Sequence, residues 1–233
     1  MILYNLNMRN EGMFTLKDIF KDGERDSLII SAILIGLSFI AYHFATAYAS
    51  IYLTRPTTTY VGDLLLDNIP VVDLSFIIIE VALIVIVVGT IYITFWEPRY
   101  VLFSLKAIAL FNIIRAIFIS FTHMGLYPGS IEPGAGIFDG VYTYFNFQTG
   151  FFFSAHTGLP FLLALIFWNK PPIRNIFLAI SFVFAVAVLL AHVHYSIDVF
   201  AAPFMAYGIF EIVKYFFPRD YEITQQSDDV HVQ

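Results

Sequence analysis

The chain has 233 residues, of which 59% are hydrophobic and only 13% charged, with a mean hydropathy of +0.77 and a net charge of -6. That little polar surface cannot cover a water-soluble globule of this size, so the composition excludes a soluble enzyme and points to a membrane protein. The absence of cysteine excludes disulfides and thiolate metal sites, and the acidic balance gives no reason to expect nucleic acid as a partner.

The N-terminal arm, residues 1–26, is cytoplasmic in this reading. Met13, Leu16, Ile19 and Phe20 fall on one helical face, the pattern of a helix lying along a membrane surface, with a frayed tail as the equal alternative. An all-α bundle of six transmembrane helices is predicted over 27–217, with spans near 27–51, 71–95, 101–122, 151–168, 174–192 and 197–217. Each approaches or reaches the ~20 apolar residues that a crossing helix needs. Pro56, Pro70, Pro98, Pro128, Pro133, Pro171, Pro172 and Pro218 all fall in or beside the breaks, which supports the segmentation. Residues 218–233 end in the polar run Gln225-Gln226-Ser227-Asp228-Asp229 and read as a disordered tail.

Basic residues set the expected orientation. Arg9, Lys17, Lys21, Arg25, Arg99, Lys106, Lys170, Arg174, Lys214 and Arg219 share one side, whereas only Arg55 and Arg115 lie toward the other. The positive-inside rule then makes both termini cytoplasmic and turns the first, third and fifth connections outward.

Two short motifs stand where apolar runs meet polar breaks: Ser154-Ala155-His156-Thr157-Gly158 and His192-Val193-His194-Tyr195-Ser196-Ile197-Asp198. His194 has an aspartate four residues on, at a helix start, which can fix its tautomer and leave the other nitrogen to attack phosphorus. His156 can protonate the leaving group. Topology places His156, His194 and Asp198 at the outer ends of the fourth, fifth and sixth helices, at similar depth. His43 and His123 read as ordinary interfacial side chains, and His192 as a residue pointing away from the site. A zinc site from His156, His192, His194 and Asp198 is the competing reading, since these are ordinary zinc ligands, but their spacing follows no metal motif.

Ala191-His192-Val193-His194-Tyr195-Ser196-Ile197-Asp198-Val199 resembles the last signature of the sphingomyelin synthase family, and Phe153-Ser154-Ala155-His156-Thr157 resembles its Ser-Gly-His-Thr signature. Both families of motif belong to the wider lipid phosphate phosphatase, or type 2 phosphatidic acid phosphatase, superfamily. The resemblance covers the C-terminal eighty or so residues and implies a six-helix membrane fold. It implies His194 as nucleophile, Asp198 as its partner and His156 as the acid or base at the leaving oxygen, with no metal and no cofactor. Arg115, Asp73, Ser154 and Tyr195 are the expected substrate contacts. The chain departs from the family at Ala155, where the signature has glycine, and at Gln148-Thr149-Gly150, where synthases carry Cys-Gly-Asp; Pro70-Val71-Val72-Asp73 keeps only the outer residues of a Pro-x-x-Asp element.

Phosphatases of the same superfamily clamp phosphate with a Lys-x-x-x-x-x-x-Arg-Pro element and an arginine six residues before the nucleophilic histidine. Here those cation positions hold Tyr48 and Val188. A phosphomonoester carries nearly two charges and a diester one, so the missing cations favour a diester. The expected reaction is head-group transfer from a membrane phospholipid to ceramide, diacylglycerol or water. Phosphatidic acid hydrolysis is the alternative, and a non-catalytic relative or transporter the third. Tyr142, Tyr144, Phe145, Phe147, Phe151, Phe152 and Phe153 offer aromatic rings for a quaternary ammonium or form an interfacial belt.

Overall fold

The computed structural model describes residues 14–53, 55, 58–131 and 152–225. Helices make up the structure, and among the described residues there is no strand. In chain order they are α1 (Asp22–Leu53), α2 (Ile77–Trp96), α3 (Val101–Phe121), α4 (Ala155–Ile166), α5 (Pro171–Leu190), α6 (Ser196–Phe216) and α7 (Pro218–Gln225). A 3-10 turn, Pro98–Tyr100, leads into α3.

Five of these helices, α1, α2, α3, α5 and α6, are long and apolar enough to cross a membrane, the architecture of a multi-pass membrane protein. Their outer faces suit hydrocarbon: Ile33, Leu37 and Phe44 on α1, Val87 and Phe95 on α2 and Phe204 on α6 are all exposed. The sixth expected span differs. Its helix, α4, has 12 residues, or about 18 Å at 1.5 Å per residue, against a hydrocarbon core of about 30 Å. Phe152 and Phe153 extend the apolar run but precede the cap at Ser154, so they add hydropathy without adding helix.

The core forms where α3, α4, α5 and α6 meet. Phe103, Phe111, Phe153, Leu162, Phe167, Ala202, Ala206 and Ile209 are buried together there, and α1 packs along α3 through Ala45, Ala49, Ala116 and Ile119. Gly158 permits the close approach of α4 to α3, because a β-carbon there would lie 2.8 Å from the Phe111 ring. Ser181 Oγ donates to Thr157 O at 2.8 Å and ties α5 to the first turn of α4.

Both ends of the chain correct the sequence reading. Pro218–Gln225, expected in a disordered tail, is helical and docked: Asp220, Ile223 and Thr224 are buried. Lys106 Nζ, 1% exposed, lies 2.7 Å from Asp220 Oδ2 and donates to Ser27 Oγ and Ser31 Oγ, each at 2.7 Å, joining α7 to α1 and α3. A buried cation needs this enclosure, and its partners come from two separate segments, α1 and α7. In the N-terminal arm, the described part holds a 3-10 turn, Asp18–Phe20, with Ile19 buried, and α1 already begins at Asp22; Met13, the first residue of the expected helical face, lies outside the described residues.

Candidate active site

The last turn of α5 explains how the second motif is presented. The Val193 N–H donates to Val188 O at 3.1 Å and the His192 N–H to Leu189 O at 3.0 Å, the two bonds of a Schellman motif, with His192 in the left-handed conformation at φ 56°. The next two carbonyls are taken from outside: Leu190 O by the Val72 N–H at 2.8 Å and Ala191 O by the Ile131 N–H at 3.0 Å. All four terminal carbonyls of α5 are thus satisfied, and the chain reverses at once. Glycine is the usual residue at this position; a side chain there costs about 1 kcal/mol.

His194 follows the reversal. Its Nδ1 lies 3.3 Å from Asp198 Oδ2, which also accepts from the Tyr195 N–H at 3.1 Å. A carboxylate only accepts, so the neutral imidazole carries its proton on Nδ1 and its lone pair on Nε2. Asp198 is fully buried and sits in the first turn of α6, one helical turn from His194.

His156 is fixed by a different set of contacts. Ser154 caps α4, its Oγ accepting from the Thr157 N–H at 3.4 Å, and the Ser154 N–H donates to Asp198 O at 3.0 Å. Just before it, Phe153 O accepts from Arg115 Nε at 2.7 Å. His156 Nε2 lies 3.1 Å from Ile78 O. That carbonyl is in a π-turn, Ile77–Val81, which opens α2. There the Ala82 N–H, which a regular α-helix would give to Ile78 O, goes to Ile79 O. A carbonyl only accepts, so His156 is protonated on Nε2, and its buried Nδ1 has no protein partner.

The two imidazoles lie edge to face, centroids 6.2 Å apart and planes inclined at 67°, with Phe184 against His156. The structure brings together His156 from α4, His194 from the turn between α5 and α6, and Asp198 from α6. Glu80 is buried in the π-turn beside the Ile78 carbonyl that holds His156.

Each of the four expected substrate contacts is hydrogen-bonded to protein atoms. Ser154 is a fully buried cap. Arg115 holds the Phe153 carbonyl and, through Nη1, the Tyr42 hydroxyl. Tyr195 is a strut between connections: its hydroxyl donates to Gly125 O at 2.8 Å and accepts from the Val61 N–H at 3.2 Å. Asp73 is exposed and bonded to Ser75, through the backbone N–H at 3.0 Å and the hydroxyl at 2.6 Å, which holds its carboxyl below the usual range. Buried polar groups must be satisfied, and at three of these positions protein atoms do it.

Val188, where a phosphatase carries an arginine, is fully buried among Ile78, Ala187 and Val199, and Tyr48 is hydrogen-bonded to Tyr52 at 2.8 Å. Arg55 lies over the Tyr52 ring at 4.1 Å. Of the aromatic residues expected near a head group, Phe152 and Phe153 pack on Phe118 and Phe153 also on Phe111; Phe153 belongs to the core and the half-buried Phe152 packs against it. The others, Tyr142, Tyr144, Phe145, Phe147 and Phe151, lie outside the described residues. Among the described residues, no three His, Asp or Glu side chains gather to hold a metal ion, so the zinc alternative has no donor set there.

Sequence reasoning missed Asp63. Its Oδ2 accepts from the Ser196 N–H at 2.7 Å, capping α6 from the first connection, while Oδ1 accepts from the Leu65 and Leu66 N–H groups at 2.9 and 3.2 Å. The available signal was an aspartate in a short break between apolar runs, which any solvated loop also shows. Burial by itself raises this carboxyl, but the donors of Ser196, Leu66 and Leu65 outweigh it and hold the pKa below the ordinary value. A depressed carboxyl contributes stability that is complete above its unfolded-state pKa, near 3.9, and is lost as pH falls through the lower folded value. Asp63→Asn turns an amide N–H toward one set of donors and is expected to cost about 1–3 kcal/mol. Thermal unfolding in detergent between neutral and acidic pH checks this: the difference between wild type and variant should shrink as the pH is lowered.

No model of a known protein family matches this chain, and no curated protein matches it.

Proposed function

We propose that the chain is a membrane lipid head-group phosphotransferase or phosphodiesterase working through a phosphohistidine on His194. The observation that carries this reading is the edge-to-face pair of imidazoles with complementary proton positions, His194 bonded to Asp198 through Nδ1 and His156 to Ile78 O through Nε2. In this reading α4 and its flanking residues serve as a sixth crossing segment, as in the lipid phosphate phosphatase superfamily that the two motifs resemble. Both termini are cytoplasmic, and the site opens on the other face.

His194 Nε2 attacks phosphorus of a phospholipid diester while the bond from phosphorus to the diacylglycerol oxygen breaks. His156, entering as the imidazolium with Nε2–H on Ile78 O, gives its Nδ1 proton to that oxygen. Asp198 stabilises the positive charge on His194. In the second half, neutral His156 Nδ1 takes the proton of a ceramide, diacylglycerol or water hydroxyl, whose oxygen displaces His194 from phosphorus. His156 ends as the imidazolium, and the cycle closes without cofactor chemistry. Arg115 acts as a positioning residue, through the backbone just before Ser154-Ala155-His156.

A diester is the better substrate because a buried valine and a hydrogen-bonded tyrosine stand where the phosphatase clamp has cations. Purified protein in detergent, given phosphatidylethanolamine or phosphatidylcholine beside phosphatidic acid, each with ceramide or diacylglycerol, tests this. Mass spectrometry of the lipids should show head-group transfer from the diesters exceeding phosphate release from phosphatidic acid. Rapid phosphate release with no diester cleavage would establish the phosphatase reading instead.

A further inference from the structure

His192 lies two residues before His194, no more than about 7 Å along the chain, and the reaction above makes no use of it. It occupies the left-handed position that closes α5, is 4% exposed, and neither ring nitrogen has a hydrogen-bond partner. Strain and desolvation are retained together at a residue beside the proposed nucleophile, and both are costs that a bound group can offset. The ring packs edge-on against Tyr127, centroids 5.3 Å apart at 78°. Tyr127 in turn packs on Tyr60 at 5.8 Å, and its hydroxyl donates to Asp67 Oδ1. Asp67 is itself exposed.

Aromatic faces and a carboxylate select a cation. A neutral imidazole adds one N–H and one lone pair. The lone pair discriminates among cations, because a primary ammonium has N–H groups to donate and a quaternary one has none. The head group is the part of the donor lipid that stays on phosphorus after diacylglycerol leaves, so it is the part available to a residue two positions from His194. We propose that His192, Tyr127 and Asp67 form a head-group subsite for a primary ammonium, as in phosphoethanolamine, beside the phosphoryl site. This inference rests on the head-group transfer reading above.

The test uses the full chain and a series of donors, phosphatidylethanolamine and its mono-, di- and trimethylated forms, with kcat/KM measured for each. Wild type should prefer the primary amine. His192→Gly suits the positive φ, so folding is preserved, and the preference for phosphatidylethanolamine over phosphatidylcholine should fall by about tenfold or more, equivalent to about 1.4 kcal/mol. His192→Asn, which also tolerates this conformation and accepts an N–H through its amide oxygen, should restore most of it. An unchanged ratio in His192→Gly, or equal loss on both lipids, overturns the subsite. A second arm needs no turnover: thermal stabilisation of the His194→Ala protein by short-chain phosphatidylethanolamine against short-chain phosphatidylcholine, with and without His192→Gly. Selective binding that depends on His192, without any diester cleavage by wild type, would leave the subsite standing and remove the transfer reaction. Cleavage without selectivity would do the reverse, with a trapped water as the partner of His192.

Discussion

Head-group transfer should fall to background in His194→Ala, and by about 10²–10⁴-fold in His156→Ala. The first substitution removes the nitrogen that bonds to phosphorus. The second removes the only proposed donor for the diacylglycerol oxygen, a poor leaving group unless it is protonated. Neither change should unfold the protein, because the His156 side chain gives up one hydrogen bond, to Ile78 O, and α4 remains held by Ser154, Arg115 and the core. Steady-state assays with thermal unfolding of each variant in the same detergent separate the two effects. Full activity in His156→Ala would remove it from the chemistry.

Asp198→Asn should be nearly as severe, lowering kcat by about 10³–10⁴-fold. Oδ2 serves two donors at once, His194 Nδ1 and the Tyr195 N–H. An amide whose oxygen stays in that place still accepts from both but carries no negative charge, and the flipped amide turns an N–H toward both donors. The favoured imidazole tautomer then puts the proton on Nε2, where the nucleophilic lone pair has to be. The charge that develops on His194 during attack also loses its counter-ion. Some loss of stability accompanies this, about 1 kcal/mol, because the same oxygen satisfies the first turn of α6. A kcat loss far larger than the thermal destabilisation can explain is the expected pattern.

The parts of this site that were legible in the sequence are local ones. His194 and Asp198 are four residues apart at a helix start, so spacing alone predicts their contact, and the five long spans follow from apolar length. The length of α4 was not legible, because Phe152 and Phe153 read as apolar whether or not they are helical; Ser154 and the Arg115 bond to Phe153 O decide where the helix begins. The partner of His156 was hidden for a different reason. It is a backbone carbonyl in a π-turn within Ile77-Ile78-Ile79-Glu80-Val81, and an apolar run shows no sign of a changed hydrogen-bond register. Arg115 reads as a substrate contact because it is one of two cations toward the outer side, and Tyr195 because it lies inside the second motif. Burial required protein partners for them, and those partners come from distant segments, at Gly125 and Val61 for Tyr195 and at Phe153 and Tyr42 for Arg115. Docking of α7 was invisible on the same grounds, since Lys106 and Asp220 are joined only by the fold.

The central claim is a covalent intermediate on His194, and the most direct measurement looks for it. Protein mixed with phosphatidylethanolamine, with no acceptor lipid present, is quenched within the first turnover, digested under alkaline conditions that preserve phosphohistidine, and sequenced by tandem mass spectrometry. The account predicts a phosphoethanolamine group on His194, absent from His194→Ala and discharged when ceramide or diacylglycerol is added before the quench. The same adduct on His156 or on another residue, or an unmodified His194 in protein that has released diacylglycerol, would contradict it.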